Sequence, residues 1–169
     1  MLRLGRHEFA DDATLMMAIV NRTPDSFYDK GATWAEDKAF DRVAQVVDEG
    51  AEIVDIGGIK AAPGVEIGID EEISRVASFV ARVRAAHPRL VISVDTWRSA
   101  VAKQACAAGA DIINDTWAGH DPHLPEVAAE FGAGLVCSHT GGAIPRTRPF
   151  RVNYGTTITG VVDDVIAEV

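Results

Sequence analysis

The feature that most restricts the fold is a repeated alternation along the chain. A short apolar run of strand length is followed each time by a longer segment with apolar residues at helical spacing. Residues 15–20 read Leu-Met-Met-Ala-Ile-Val and stop at Asn21. Over residues 34–49, Ala39, Phe40, Val43, Val46 and Val47 fall on one helical face, and Gly50 stands where a helix-ending glycine would. The second unit is a strand over 53–56, then Gly57-Gly58, then a helix over 71–86. The third is a strand over 90–94, Asp95, and a helix over 99–107. Ile112-Ile113 ends at Asn114-Asp115, ahead of a helix over 122–131 with proline in its first turn. The fifth strand, 134–138, ends at His139; a polar loop follows, and residues 157–169 read as another helix.

Apolar strands alternating with helices predict a parallel sheet, its strands buried on both faces, in an α/β fold. The polar residues choose between a doubly wound sheet and a (βα)8 barrel. Asn21, Asp55, Asp95, Asn114 and His139 each stand at or near the C-terminal end of a strand. One polar residue per consecutive strand builds a barrel rim. A doubly wound sheet gathers its ligand contacts at one switch point. The expected class is therefore a TIM-type (βα)8 barrel. A full barrel takes ~200–250 residues, so residues 1–169 are read as the N-terminal part of one barrel domain, with about five βα units present and about three more expected.

The formal net charge of −9 argues against an electrostatic nucleic-acid binder, which needs a basic surface. No stretch approaches the ~20 apolar residues that span a bilayer, and the first residues carry charges with no apolar signal core. The expected location is the cytoplasm. Cys106 and Cys137 belong to no CxxC or Cys/His cluster, so a zinc site is not expected; both are read as buried, reduced thiols.

Four short motifs carry the chemistry. Asn21-Arg22-Thr23-Pro24-Asp25-Ser26-Phe27 follows the first strand directly. Asp55-Ile56-Gly57-Gly58, Ser93-Val94-Asp95-Thr96 and Gly109-Ala110-Asp111-Ile112-Ile113-Asn114-Asp115 follow in order. Together they resemble the N-x-T-P-D-S-F, D-x-G-G, S-x-D-T and G-A-x-I-I-N-D signatures of the dihydropteroate synthases, a pterin-binding barrel family, over essentially the whole chain. The resemblance implies that Asp95 and Asn114 bind a pterin. That ring presents a guanidine-like edge of N–H donors beside a carbonyl. A carboxylate accepts from two such donors, and a carboxamide offers one donor and one acceptor. Read without the family, Asp95 is an acid capping the next helix, and Asn114 a turn residue. The resemblance also makes Asn21 a ligand of the Mg2+ that accompanies the pterin diphosphate, as suits an amide oxygen toward a hard cation. The plain alternative is a residue that ends the strand. Thr23, Pro24, Asp25, Ser26 and Phe27 would form the first loop. His139 reads more readily as a structural residue than a catalyst.

The sequence departs from the family where the second loop should read E-S-T-R-P-G. It runs Ile59-Lys60-Ala61-Ala62-Pro63-Gly64, with alanines at the Thr and Arg positions. In the family this loop helps to hold diphosphate and p-aminobenzoate. Each lost charge-assisted contact is worth ~1.5–3 kcal/mol, or about one to two decades in affinity. Lys60 substitutes only in part, as a flexible point charge. Arg22, Tyr28 and Lys30 also replace residues that are usually smaller or neutral.

The resemblance implies a Mg2+-dependent transferase of folate biosynthesis. It would join dihydropterin-6-ylmethyl diphosphate to p-aminobenzoate, impaired by Ala61 and Ala62. A catalytically inactive or repurposed pterin-binding paralogue is the alternative. A methyltetrahydrofolate-type methyltransferase domain is a lesser one, disfavoured by the first-loop motif. No protein nucleophile is implied, and the full-length protein is expected to be a homodimer.

Overall fold

The computed structural model describes residues 1–22, 36–147 and 166. Strands β1 (Leu2–Leu4) and β2 (His7–Phe9) form an antiparallel hairpin. The βα units follow: β3 (Met17–Asn21), α1 (Glu36–Asp48), β4 (Ile53–Gly57), α2 (Ile69–Ala86), β5 (Val91–Asp95), α3 (Ser99–Ala108), β6 (Ile112–Asp115), α4 (Leu124–Phe131) and β7 (Gly134–Cys137). Strands β3 to β7 make one five-stranded parallel sheet in strictly sequential order. That order is a barrel's; a doubly wound sheet would reverse direction partway. The fold is α/β of TIM-barrel type.

All four helices pack on one side of the sheet. Val20, Val54, Ile56, Ile92, Val94 and Ile113 point outward into a single core with α1 to α4, centred on Val43, Val46, Phe79, Val80 and Val83. The even spacing of these strand residues and the three-to-four spacing of the helix residues meet there. On the inner side, Ile53, Val91 and Ile112 pack against Leu4, Phe9 and Leu15, so the hairpin plugs the lower end. The sequence reading missed this hairpin, whose strands are only 3 residues long. Asp111 ties it to the sheet: buried, it accepts bonds from Arg6 Nε (3.1 Å), the Ile92 amide (3.0 Å) and the Arg84 guanidinium.

Two expectations need correction. Only the three central strands, β4, β5 and β6, are enclosed on both faces. Ile19 is 57% exposed and Val136 45%, because β3 and β7 are the sheet's edges and their inner faces meet no opposing strand among the described residues. For the same reason Cys137, on β7, is exposed, whereas Cys106 of α3 is buried. The helix expected over 157–169 lies outside the described residues, apart from helical residue 166.

Candidate ligand site at the strand ends

Parallel register assembles the site. Asn21 pairs with Gly57, Gly57 with Asp95, Asp95 with Asn114, and Asn114 with Val136. Partners in such a row project to the same side of the sheet. Asn21, Asp95 and Asn114 therefore share the inner face at the C-terminal rim. One layer below runs the row Ile19, Asp55, Ser93, Ile112 and Gly134. Gly57 is required by this packing, since a Cβ there would stand 2.6 Å from Asn21 Oδ1 and 3.8 Å from Asp95 Cβ. The space left by its missing side chain is the one that the Asn21 amide enters.

Asp55 is 4% exposed and organises the floor. Its Oδ1 accepts from Ser93 Oγ at 2.6 Å and its Oδ2 from Asn114 Nδ2 at 3.3 Å. The second bond sets which way the Asn114 amide faces, leaving that residue its oxygen and a second N–H for a ligand. Asp95, half-buried, accepts from Thr116 Oγ1 at 3.2 Å. Burial, reinforced by the charge of Asp55, pushes the Asp95 carboxyl up to about 7. Burial also raises Asp55, against the lowering effect of its bonds from Ser93 and Asn114. Asp115 projects to the other side, where it accepts from the amides of Trp117 (2.8 Å) and Gly119 (2.6 Å) and closes the turn after β6.

The second loop, residues 58–68, runs from β4 to α2. Ala61 is exposed; Lys60 and Ala62 are half-buried. Its two ends are held from behind. Arg75 Nη1 donates to the Gly58 carbonyl at 3.1 Å, and Arg98 Nη1 to the Ile67 carbonyl at 2.9 Å. Between them Glu72, fully buried, accepts from Thr96 Oγ1 (2.8 Å) and Arg98 Nη1 (2.9 Å). Thr96 directly follows Asp95, so this network joins the loop to the rim. Gly58 makes room for it: a Cβ there would lie 2.7 Å from Val76 Cγ2 and 3.2 Å from Glu72 Cγ.

Sequence reasoning named the rim residues and missed Ser93, Glu72, Arg75 and Arg98 as their supports. A signal existed for Glu72: a charged residue on the apolar face of an amphipathic helix needs a buried partner. Thr23, Pro24, Asp25, Ser26 and Phe27 lie outside the described residues, as do Tyr28 and Lys30. Arg22 is buried, its guanidinium over the Phe79 ring at 5.1 Å and its Nη2 3.6 Å from Glu36 Oε2. It thus packs between α1 and α2, away from the rim row. His139 follows β7 and is half-buried. Among the described residues no group of three His, Cys, Asp or Glu side chains could hold a metal ion.

A sequentially wound parallel sheet, with one polar row across its strand ends and an acidic floor beneath it, has the architecture of an α/β-barrel domain. The comparisons with known proteins agree. Residues 17–169 match the family model described as pterin binding enzyme. The chain is 64% identical over 160 residues to the inactive dihydropteroate synthase 2 of Mycobacterium tuberculosis, covering 95% of this chain and 50% of that protein. It is 41% identical over 160 residues to the dihydropteroate synthase of Bacillus subtilis, covering 94% and 53%. The solved Burkholderia cenocepacia dihydropteroate synthase complexed with 7,8-dihydropteroate superposes with a TM-score of 0.77 at 32% identity, over 99% of this chain and 56% of that one. The chain belongs to the pterin-binding enzyme family, in its dihydropteroate synthase-like branch. It spans about half the length of the curated relatives it matches.

Proposed function

We propose that the protein to which this chain belongs is a pterin-binding paralogue of dihydropteroate synthase, one that holds the dihydropterin ring but does not join it to p-aminobenzoate. The observation that carries the reading is the contrast between two neighbouring structures. The Asp95–Asn114 row is in place, supported by Asp55 and Ser93. The second loop beside it offers two alanine side chains, which can neither donate a hydrogen bond nor carry charge. The relative of 64% identity is itself called inactive, in keeping with this.

In this reading Asp95 and Asn114 grip the N–H-bearing edge of the ring, and Asp55 keeps the Asn114 amide from rotating. The acidic floor favours a ligand edge rich in donors. The family's Mg2+ fits what is present only in a limited way. The amide oxygen of Asn21 is one neutral hard donor, enough for an ion whose other ligands are water and diphosphate oxygens. Asn21 would hold that ion, whose role is to neutralise the diphosphate charge.

Separate titration of a dihydropterin diphosphate and of p-aminobenzoate into the complete protein tests the proposal. The expected result is micromolar-class pterin binding, lost by about 10- to 100-fold in Asp95→Ala because a charge-assisted contact of ~1.5–3 kcal/mol goes. Binding of p-aminobenzoate should be weak, and dihydropteroate formation absent. Turnover with Mg2+ at a rate like that of an active synthase would restore the transferase reading. Full pterin affinity in the Asp95→Ala variant would sink the pocket assignment.

A further inference from the structure

The second loop is held at its middle as well as its ends, and the group that holds it comes from far along the chain. Arg146, beyond β7, donates from Nη1 to the Val65 carbonyl at 2.7 Å and from Nε to the Ala62 carbonyl at 3.3 Å. Gly64 lies directly under the guanidinium, where a Cβ would stand 3.0 Å from Arg146 Nη2. The planar fork of an arginine can bond two carbonyls at once in a way that an ammonium cannot match. The backbone of Arg146 bears a cost for reaching this place. Its φ is 61°, in the left-handed region that a residue with a Cβ rarely adopts. Such a conformation persists where surrounding contacts hold it, and the two carbonyl bonds are such contacts. Neither the Ala61 nor the Ala62 side chain can tether the loop.

We propose that Arg146 is a positioning residue: it clamps the second loop to the loop after β7 and so sets the outer wall of the ligand site. Its consequence for ligands rests on the pterin reading above; the clamp itself does not. The two loops, 84 residues apart at the Arg146–Ala62 bond, then move as one unit. An acceptor entering between them meets a guanidinium supplied by the later loop instead of an arginine on the second.

Hydrogen exchange on the complete protein, read peptide by peptide, tests the clamp. Three variants are compared: Arg146→Ala, Arg146→Gly, which also relieves the left-handed backbone, and Arg146→Lys. Exchange over residues 61–66 should quicken about tenfold in the Ala and Gly variants, the equivalent of ~1.4 kcal/mol of local opening. The Lys variant should recover part of the protection, and β4 to β6 should exchange as before. Unchanged loop exchange in both the Ala and Gly variants would overturn the proposal. So would faster exchange spread evenly across the sheet, which reports lost stability and no clamp. Pterin titration of the same proteins keeps the two readings apart. If the unmutated protein fails to bind pterin, the proposed function falls while the exchange result still decides the clamp.

Discussion

Replacing Asp95 by asparagine should stabilise the folded protein at alkaline pH while weakening the pterin contact proposed for the acid. The carboxyl moves from 3.8 to about 7 on folding, because it is shut in and faces Asp55. Between those two values the folded state keeps a proton that the unfolded chain has released. Raising pH through that window therefore destabilises the protein, and above pH 7 the whole penalty is present. A rise of about three, at ~1.36 kcal/mol for each pH unit, sets a ceiling of about 4 kcal/mol. Solvent screening at the half-exposed rim lowers this to about 1–2 kcal/mol. The carboxamide introduced by Asp95→Asn would keep an oxygen for Thr116 and carry no charge. For a chain of this size ~1 kcal/mol moves Tm by about 2–4 °C, so Asp95→Asn should raise Tm by about 4 °C at pH 8. At pH 5, only part of the way through that window, the shift should be about a third as large, and below pH 3.8, where both states hold the proton, the two proteins should melt together. Thermal melts across these pH values supply the test. Equal shifts at pH 5 and pH 8, or a variant less stable at pH 8, would show that the carboxyl is not held protonated by its surroundings. Pterin affinity should move the other way, rising with pH in the unmutated protein as the carboxylate forms.

Three further outcomes follow from the same structure. Glu72→Gln removes the charge of a fully buried carboxylate that pairs with Arg98, and urea denaturation should show a loss of about 3 kcal/mol. Gly57→Ala drives a methyl group into the Asn21 amide at 2.6 Å; it should cost about 1–3 kcal/mol and weaken any Mg2+ dependence of ligand binding, checked by melts and by titration with and without the ion. Thiol labelling of the native protein should modify Cys137 alone, since Cys106 is buried and its thiol is pushed up to about 11 by burial; both should react in urea.

Much of the architecture was legible because it is written in local periodicity. Apolar runs bounded by Asn21, Gly57-Gly58, Asp95 and Asn114-Asp115 marked the strands, and the three-to-four spacing of Val43, Val46 and Val47 marked α1. The hairpin was illegible, since its 3-residue strands carry too little pattern and gain their stability from Ile53, Val91 and Ile112 beneath them. The exposure of Ile19, Val136 and Cys137 was misjudged for a related reason: an edge strand and a central strand can share one composition.

The sequence alone determined which residues end each strand, and hence that Asn21, Asp55, Asp95 and Asn114 stand near one rim. It also determined that the second loop carries Ala61 and Ala62 in place of polar side chains. Only the tertiary structure decided which of these groups meet. Register set Asp95 beside Asn114 in one row and sank Asp55 one layer lower, where it became the support of Asn114 and not its equal. The partnership of Arg146 with Ala62 and Val65 likewise exists only once five strands have been laid side by side. A side chain's chemistry is a local property of the chain. Its neighbours across tens of residues are a property of packing, which no local pattern encodes.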